Sequence, residues 1–73
     1  MAYYLVPVQG DQARAVSLLA LNGIQNVIAE GGLVARLAAP DPQKARIRVV
    51  ASLEGGEFEV GEALGEREDG SGQ

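Results

Sequence analysis

Turn signals cut the first forty residues into a strand, a helix and a hairpin, leaving few ways to connect them. Tyr3-Tyr4-Leu5-Val6-Pro7-Val8 is aromatic and β-branched and predicts a strand that is apolar on both faces. Pro7 lacks a ladder donor, which puts it near the strand's end or on an edge. Gly10 turns the chain, and Asp11 offers a side-chain oxygen to the start of a helix. Ala15, Leu18, Leu19 and Asn22 then share one helical stripe with Val16 beside it, and Asn22-Gly23 supplies a left-handed stop. Next, Ile24 to Glu30 and Leu33 to Ala38 flank Gly31-Gly32, the pattern of a two-residue hairpin turn. With Glu30 opposite Leu33, Ile28 meets Ala35 and Asn26 meets Leu37 on a core face. Val27 then meets Arg36, and Ala29 meets Val34, on a second face that is only half polar.

Two architectures compete for the second half. Pro40-Asp41-Pro42 reads as a helix entrance, with Asp41 as cap and Pro42 in the first turn. Yet Ile47, Val49, Ala51 and Leu53 alternate as a strand would, and Arg46 intrudes on the helical stripe between Val50 and Leu53. Glu57-Phe58-Glu59-Val60 alternates cleanly, with Phe58 and Val60 inward. If 42–53 is helical, the order is the ferredoxin-like β-α-β-β-α-β, a small antiparallel sheet with one face covered by helix. An internal echo supports this choice: Ala13-Arg14 and Ala20-Leu21-Asn22-Gly23 recur 32 positions later as Ala45-Arg46 and Ser52-Leu53-Glu54-Gly55. The alternative makes 45–53 a strand, giving a single helix on a five-stranded antiparallel sheet. Both are α+β, with one domain over 1–64 and a flexible acidic C-terminal tail over 65–73.

The chemical inventory argues against catalysis. The chain has no His, Cys, Thr or Trp, and its serines are Ser17, Ser52 and Ser71. Acid–base work near neutral pH leans on His, nucleophilic catalysis needs an activated side chain, and zinc needs imidazole or thiolate. The C-terminal acids lack the spacing of a calcium loop. No catalytic, cofactor-binding or metal-binding residue is assigned, and the expectation is a non-enzymatic protein. No apolar run reaches the ~18–20 residues of a membrane span, and no basic start leads into an apolar signal segment. A cytoplasmic location without membrane contact is the expectation.

Charge divides the chain. From Glu54 onward seven acids face one base, Arg67, whereas residues 1–53 carry three acids and five bases. Lys44, Arg46 and Arg48 crowd just ahead of Glu57, Glu59 and Glu62. Opposed fields of this kind can orient a partner or a second copy. The net charge of −4 argues against nucleic acid as the partner. Tyr3 and Tyr4 point to opposite sides of their strand, so one of them stays outside whichever face the helices cover. Together with Val27, Val34 and Arg36 it outlines a contact surface.

The turn at Gly10-Asp11 and the segment Gly23-Ile24-Gln25-Asn26-Val27 resemble the ACT-type regulatory domain, whose element order is also β-α-β-β-α-β. Gly10-Asp11-Gln12 stands where that family carries a Pro-Gly pair and a Leu. The resemblance implies an amino-acid ligand held between subunits by Gly10, Asp11 and Asn26. From the residues themselves, the expected function is a protein–protein interaction or assembly module. It would act as a homo-oligomer or as a small subunit of a larger complex, as suits a phage structural or host-regulating protein. A small-molecule-sensing domain is the first alternative, and a nucleic-acid accessory factor the second.

Overall fold

Asp11 and Asp41 set the two helices of this fold. In the computed structural model, which describes residues 2–29, 32–54 and 57–65, each Asp side chain accepts from the backbone N–H three residues on: Arg14 N at 3.2 Å and Lys44 N at 2.8 Å. Helix α1 spans Gln12–Leu21 and α2 spans Pro42–Ser52. The strand reading of 45–53 is thereby overturned. Ala45, Val49 and Leu53 are buried at helical spacing, while Ile47 and Ala51, which completed the apparent alternation, lie exposed. Pro42 supplies a fixed φ in the first turn, where its missing N–H costs nothing. The internal echo at a spacing of 32 does not describe the structure, since it sets exposed Ala13 and Ala20 on buried Ala45 and Ser52; the helices instead match at a spacing of 30, Asp11 with Asp41, Ala15 with Ala45 and Leu19 with Val49.

Strands β1 (Ala2–Gln9), β2 (Gln25–Ala29), β3 (Gly32–Ala39), β4 (Glu59–Val60) and β5 (Leu64–Gly65) complete the described elements. The path across the sheet is β2-β3-β1-β4, with β5 also on β1, and every pairing is antiparallel. The hairpin register differs from the expectation by two residues. Ile28 pairs with Leu33, Val27 with Val34, Asn26 with Ala35 and Ala29 with Gly32, so Gly32 belongs to the strand. A slip of two keeps every side chain on its expected side of the sheet, whereas a slip of one would have reversed them all; Ile28, expected in the core, nonetheless lies 65% exposed near the end of β2. Gly31 and Glu30 lie outside the described residues.

Both helices cover one face. Val6 and Val8 from β1 and Leu33, Ala35, Leu37 and Ala39 from β3 meet Ala15, Leu19, Ala45, Val49 and Leu53, with Ile24 closing the end. Tyr4, Val16, Leu18, Phe58 and Val60 pack around this core. Asn22, expected in the apolar stripe, is instead exposed; it is the C-cap, and its Nδ2 donates to the Leu18 carbonyl at 2.8 Å. Helix α1 ends with Gly23 at φ 73°, whereas α2 ends with Glu54 at φ 57°, a left-handed position held by a residue with a Cβ. Among the described residues no helix is long and apolar enough to cross a membrane.

The C-terminal run follows β1 with a dislocation. Val60 pairs with Val8 and Leu64 with Leu5, so residues 61–63 oppose only Val6 and Pro7. One extra residue in a strand is a bulge, and it reverses the inward–outward alternation beyond it. Val60 therefore faces the helices, while Leu64 turns to the other face. Gly61 permits the close approach, because a Cβ there would come within 2.8 Å of Pro7 Cγ; its N–H donates to the Pro7 carbonyl at 2.9 Å. Gly65, expected to open the acidic tail, is paired with Tyr4; residues 66–73 lie outside the described residues.

Candidate functional site

The helix-free face of the sheet carries the main concentration of accessible apolar surface. Its residues follow from the register: Tyr3, Leu5 and Pro7 on β1, Val34, Arg36 and Ala38 on β3, Gln25 and Val27 on β2, and Leu64 on β5. Two rows run straight across the strands. One is Val27–Val34–Pro7, and the other is Gln25–Arg36–Leu5–Leu64. Directly opposed side chains lie ~4.5–5.5 Å apart at Cβ, so Val27, Val34, Pro7, Leu5 and Leu64 form one continuous patch. Val27 keeps 50% of its surface, Leu64 63% and Tyr3 42%. Leu21 and Ile47 are exposed too, but each sits singly on a helix, which is ordinary for a soluble surface.

At one end of this face Arg36 is held in place. Its guanidinium carbon lies 4.0 Å from the Tyr3 ring centroid, and its Nη1 donates to Gln25 Oε1 at 2.9 Å. A stacked, hydrogen-bonded arginine presents its charge with little left to order on binding. Glu59 stands on the same face at the other end, opposite Gln9 and exposed.

The remaining sequence candidates fall elsewhere. Tyr4 points to the helices and is half-buried against the core, so it is Tyr3 that faces out. Arg46 turns inward on its own chain: its Nε donates to the Gly61 carbonyl at 3.2 Å and its Nη2 to that of Val60 at 3.1 Å. This is where the basic cluster and the acidic stretch meet, through backbone carbonyls in place of carboxylates. Lys44 and Arg48 are exposed on α2, and Arg48 joins Tyr3, Gln25 and Arg36 around a cleft of about 260 Å³. Two further clefts, of about 500 and 510 Å³, flank β4 and share Arg46, Val60 and Gly61; Glu59 lines the first and Glu62 the second. Glu57 is exposed just before β4, and its carbonyl lies against Gly10.

Replacing Arg46 by Ala removes two charge-assisted hydrogen bonds from an exposed site, where solvent screening leaves them worth about 1 kcal/mol together. Amide exchange at Gly61 is expected to quicken roughly fivefold. Exchange at the parent rate would show that Arg46 does not hold the bulge.

Gly10, Asp11 and Asn26 do not form one site. Asp11 is committed to capping α1, and Gly10 packs against Phe58. Asn26 lies half-buried on β2, with β3 between it and β1. None of the three clefts described above includes any of them. Among the described residues no three acids gather into a metal-holding group. Sequence reading missed Leu5, Pro7 and Leu64 as members of the patch. Leu5 and Pro7 follow from the strand alternation once the inward face is known, while Leu64 depends on the bulge, whose local signal is Gly61 within the run. Comparison with protein-family models, curated proteins and solved structures finds no match to this chain.

Proposed function

We propose that this protein is a non-enzymatic interaction module whose contact surface is the helix-free face of the sheet. The observation that carries the reading is the continuous patch of Val27, Val34, Pro7, Leu5 and Leu64, framed by Tyr3 and Arg36. A sheet face left open in an antiparallel protein is normally polar, so an apolar one signals that something covers it. The composition suits an interface: an aromatic ring with a wet hydroxyl, an ordered arginine and an aliphatic centre. The described serines support a role outside catalysis. Ser52 is buried and donates its hydroxyl to the Arg48 carbonyl, and Ser17 stands exposed on α1. Neither has an imidazole within the chain to activate it.

Photo-crosslinking tests the assignment. Benzoylphenylalanine placed at Val27 in the full chain is expected to give a protein adduct in native lysate. The same group at Ala13, exposed on α1, is expected to give none. Equal adducts at both positions, or none at Val27, would remove the sheet face as the contact surface.

A further inference from the structure

The two outer edges of the sheet are built differently. Strand β4, on one side, combines several devices that resist the addition of a further strand. It is two residues long, stands among the exposed Glu57, Glu59 and Glu62, and runs into the bulge at 61–63. Arg46 closes this edge further. Gly61 donates its N–H to Pro7 on β1, so by antiparallel alternation the carbonyl of the preceding Val60 points away from β1, and Arg46 Nη2 occupies it. Strand β2 ends the other side of the sheet among the described residues and has none of these features. Its five residues, Gln25–Ala29, include no charge, proline or glycine, and they pair with β3 without a break. Along such an edge alternate residues direct N–H and C=O outward, at the spacing of a next strand.

We infer that β2 accepts an extended segment of a partner protein as an added strand. Val27 keeps 50% of its surface and Ile28 65%. The two are consecutive, so Val27 lies on the open face and Ile28 on the helix side. An occupant lying on either face reaches only one of them. A strand laid along the edge flanks both, and its backbone satisfies the outward N–H and C=O groups. Strand addition of this kind takes its affinity from main-chain hydrogen bonds and its specificity from alternate side chains. The fitting segment therefore carries aliphatic side chains at two consecutive positions, one for each face. A second copy of this chain fits less well. Full overlap of two β2 strands about a twofold axis centres on Val27 and sets Asn26 against Ile28 twice, polar against apolar. This edge borders the open face at Val27 but is a separate surface, so the inference goes beyond the contact face proposed above.

Amide hydrogen exchange, read by NMR on the full chain, tests the edge. The probe is a synthetic peptide with the sequence of β3, Gly32–Ala39, whose Leu33 and Val34 already match Ile28 and Val27 within the fold. At millimolar peptide, the β2 amides that exchange fastest in its absence, those directed outward, are expected to slow about tenfold, while Val60 keeps its rate. The same peptide carrying Val34→Pro and Ala35→Pro lacks a donor on each of its edges and is expected to slow nothing. Ile28→Lys, which sets a charge beside the added strand, is expected to abolish the slowing. Far-UV circular dichroism matching the parent shows that this variant is folded, and the proline peptide on the parent chain gives the same test without any variant. Leu64→Lys, on the open face but away from β2, is expected to leave the slowing intact. Unchanged β2 rates at millimolar peptide, or equal slowing at Val60, would overturn the acceptor edge. Slowing that Leu64→Lys removes and Ile28→Lys spares would put the peptide on the open face, with the same consequence. Slowing that follows chain concentration with no peptide present would make a second copy the occupant and overturn the partner strand.

Discussion

Leu19→Ala is expected to remove most of the protein's stability at room temperature. Leu19 has no accessible surface, sits in the buried face of α1, and belongs to the core formed with Val6, Ala35 and Val49. Truncating a buried Leu removes its transfer free energy and leaves a cavity, at a cost of about 2–5 kcal/mol. A 73-residue chain without disulfides has only about 3–5 kcal/mol to lose. Urea titration followed by far-UV circular dichroism reads the outcome directly. Leu21→Ala is the matched control: the same atoms leave a side chain that is 81% exposed on α1, away from the sheet face, and the midpoint should move by less than about 0.5 kcal/mol equivalent. Equal loss in both variants would mean that burial in the helix-covered core does not stabilise this fold.

Gly10→Ala should be the next most damaging change, for two separable reasons. Gly10 has φ 136°, a conformation that L-residues rarely adopt, and holding one there costs about 1–3 kcal/mol. A Cβ would also lie 2.8 Å from Phe58 Cδ1 and 3.1 Å from the Glu57 carbonyl oxygen. Phe58 packs against the core, so moving it loosens the run that leads into β4. A double-mutant cycle with Phe58→Ala divides the two contributions. If the ring contact matters, Gly10→Ala costs less in the absence of Phe58; if the costs simply add, the backbone carries the whole effect. A Gly10→Ala variant as stable as the parent would contradict the left-handed turn. The test also bears on function, because this turn joins the open face of β1 to the first helix.

The reach of local reasoning shows in particular elements. Asp11 and Asp41 with Pro42 named both helix starts, because capping is decided by a side chain and a backbone group three residues apart. The alternation of Ile47, Val49, Ala51 and Leu53 misled because those positions satisfy a two-residue period and still contain Val49 and Leu53 at a helical spacing of four. The hairpin register slipped by two because pattern fixes only the face, and a shift of two leaves the face unchanged. Arg46 looked like one of three free surface charges until the carbonyls of Val60 and Gly61 were found beneath it, fourteen and fifteen residues away.

What this chain determined on its own was its class: the first helix, the two-sided alternation of its strands, and a chemical inventory poor in catalytic groups. These rest on composition and on interactions spanning a few residues. Tertiary structure alone decided that Tyr3, not Tyr4, faces out, that the bulge at 61–63 turns Leu64 onto the open face, and that Arg36 and Glu59 stand at opposite ends of that face. Each of these depends on which strand lies beside β1 and in what register. That is settled by packing among residues far apart in sequence, against which no local preference weighs.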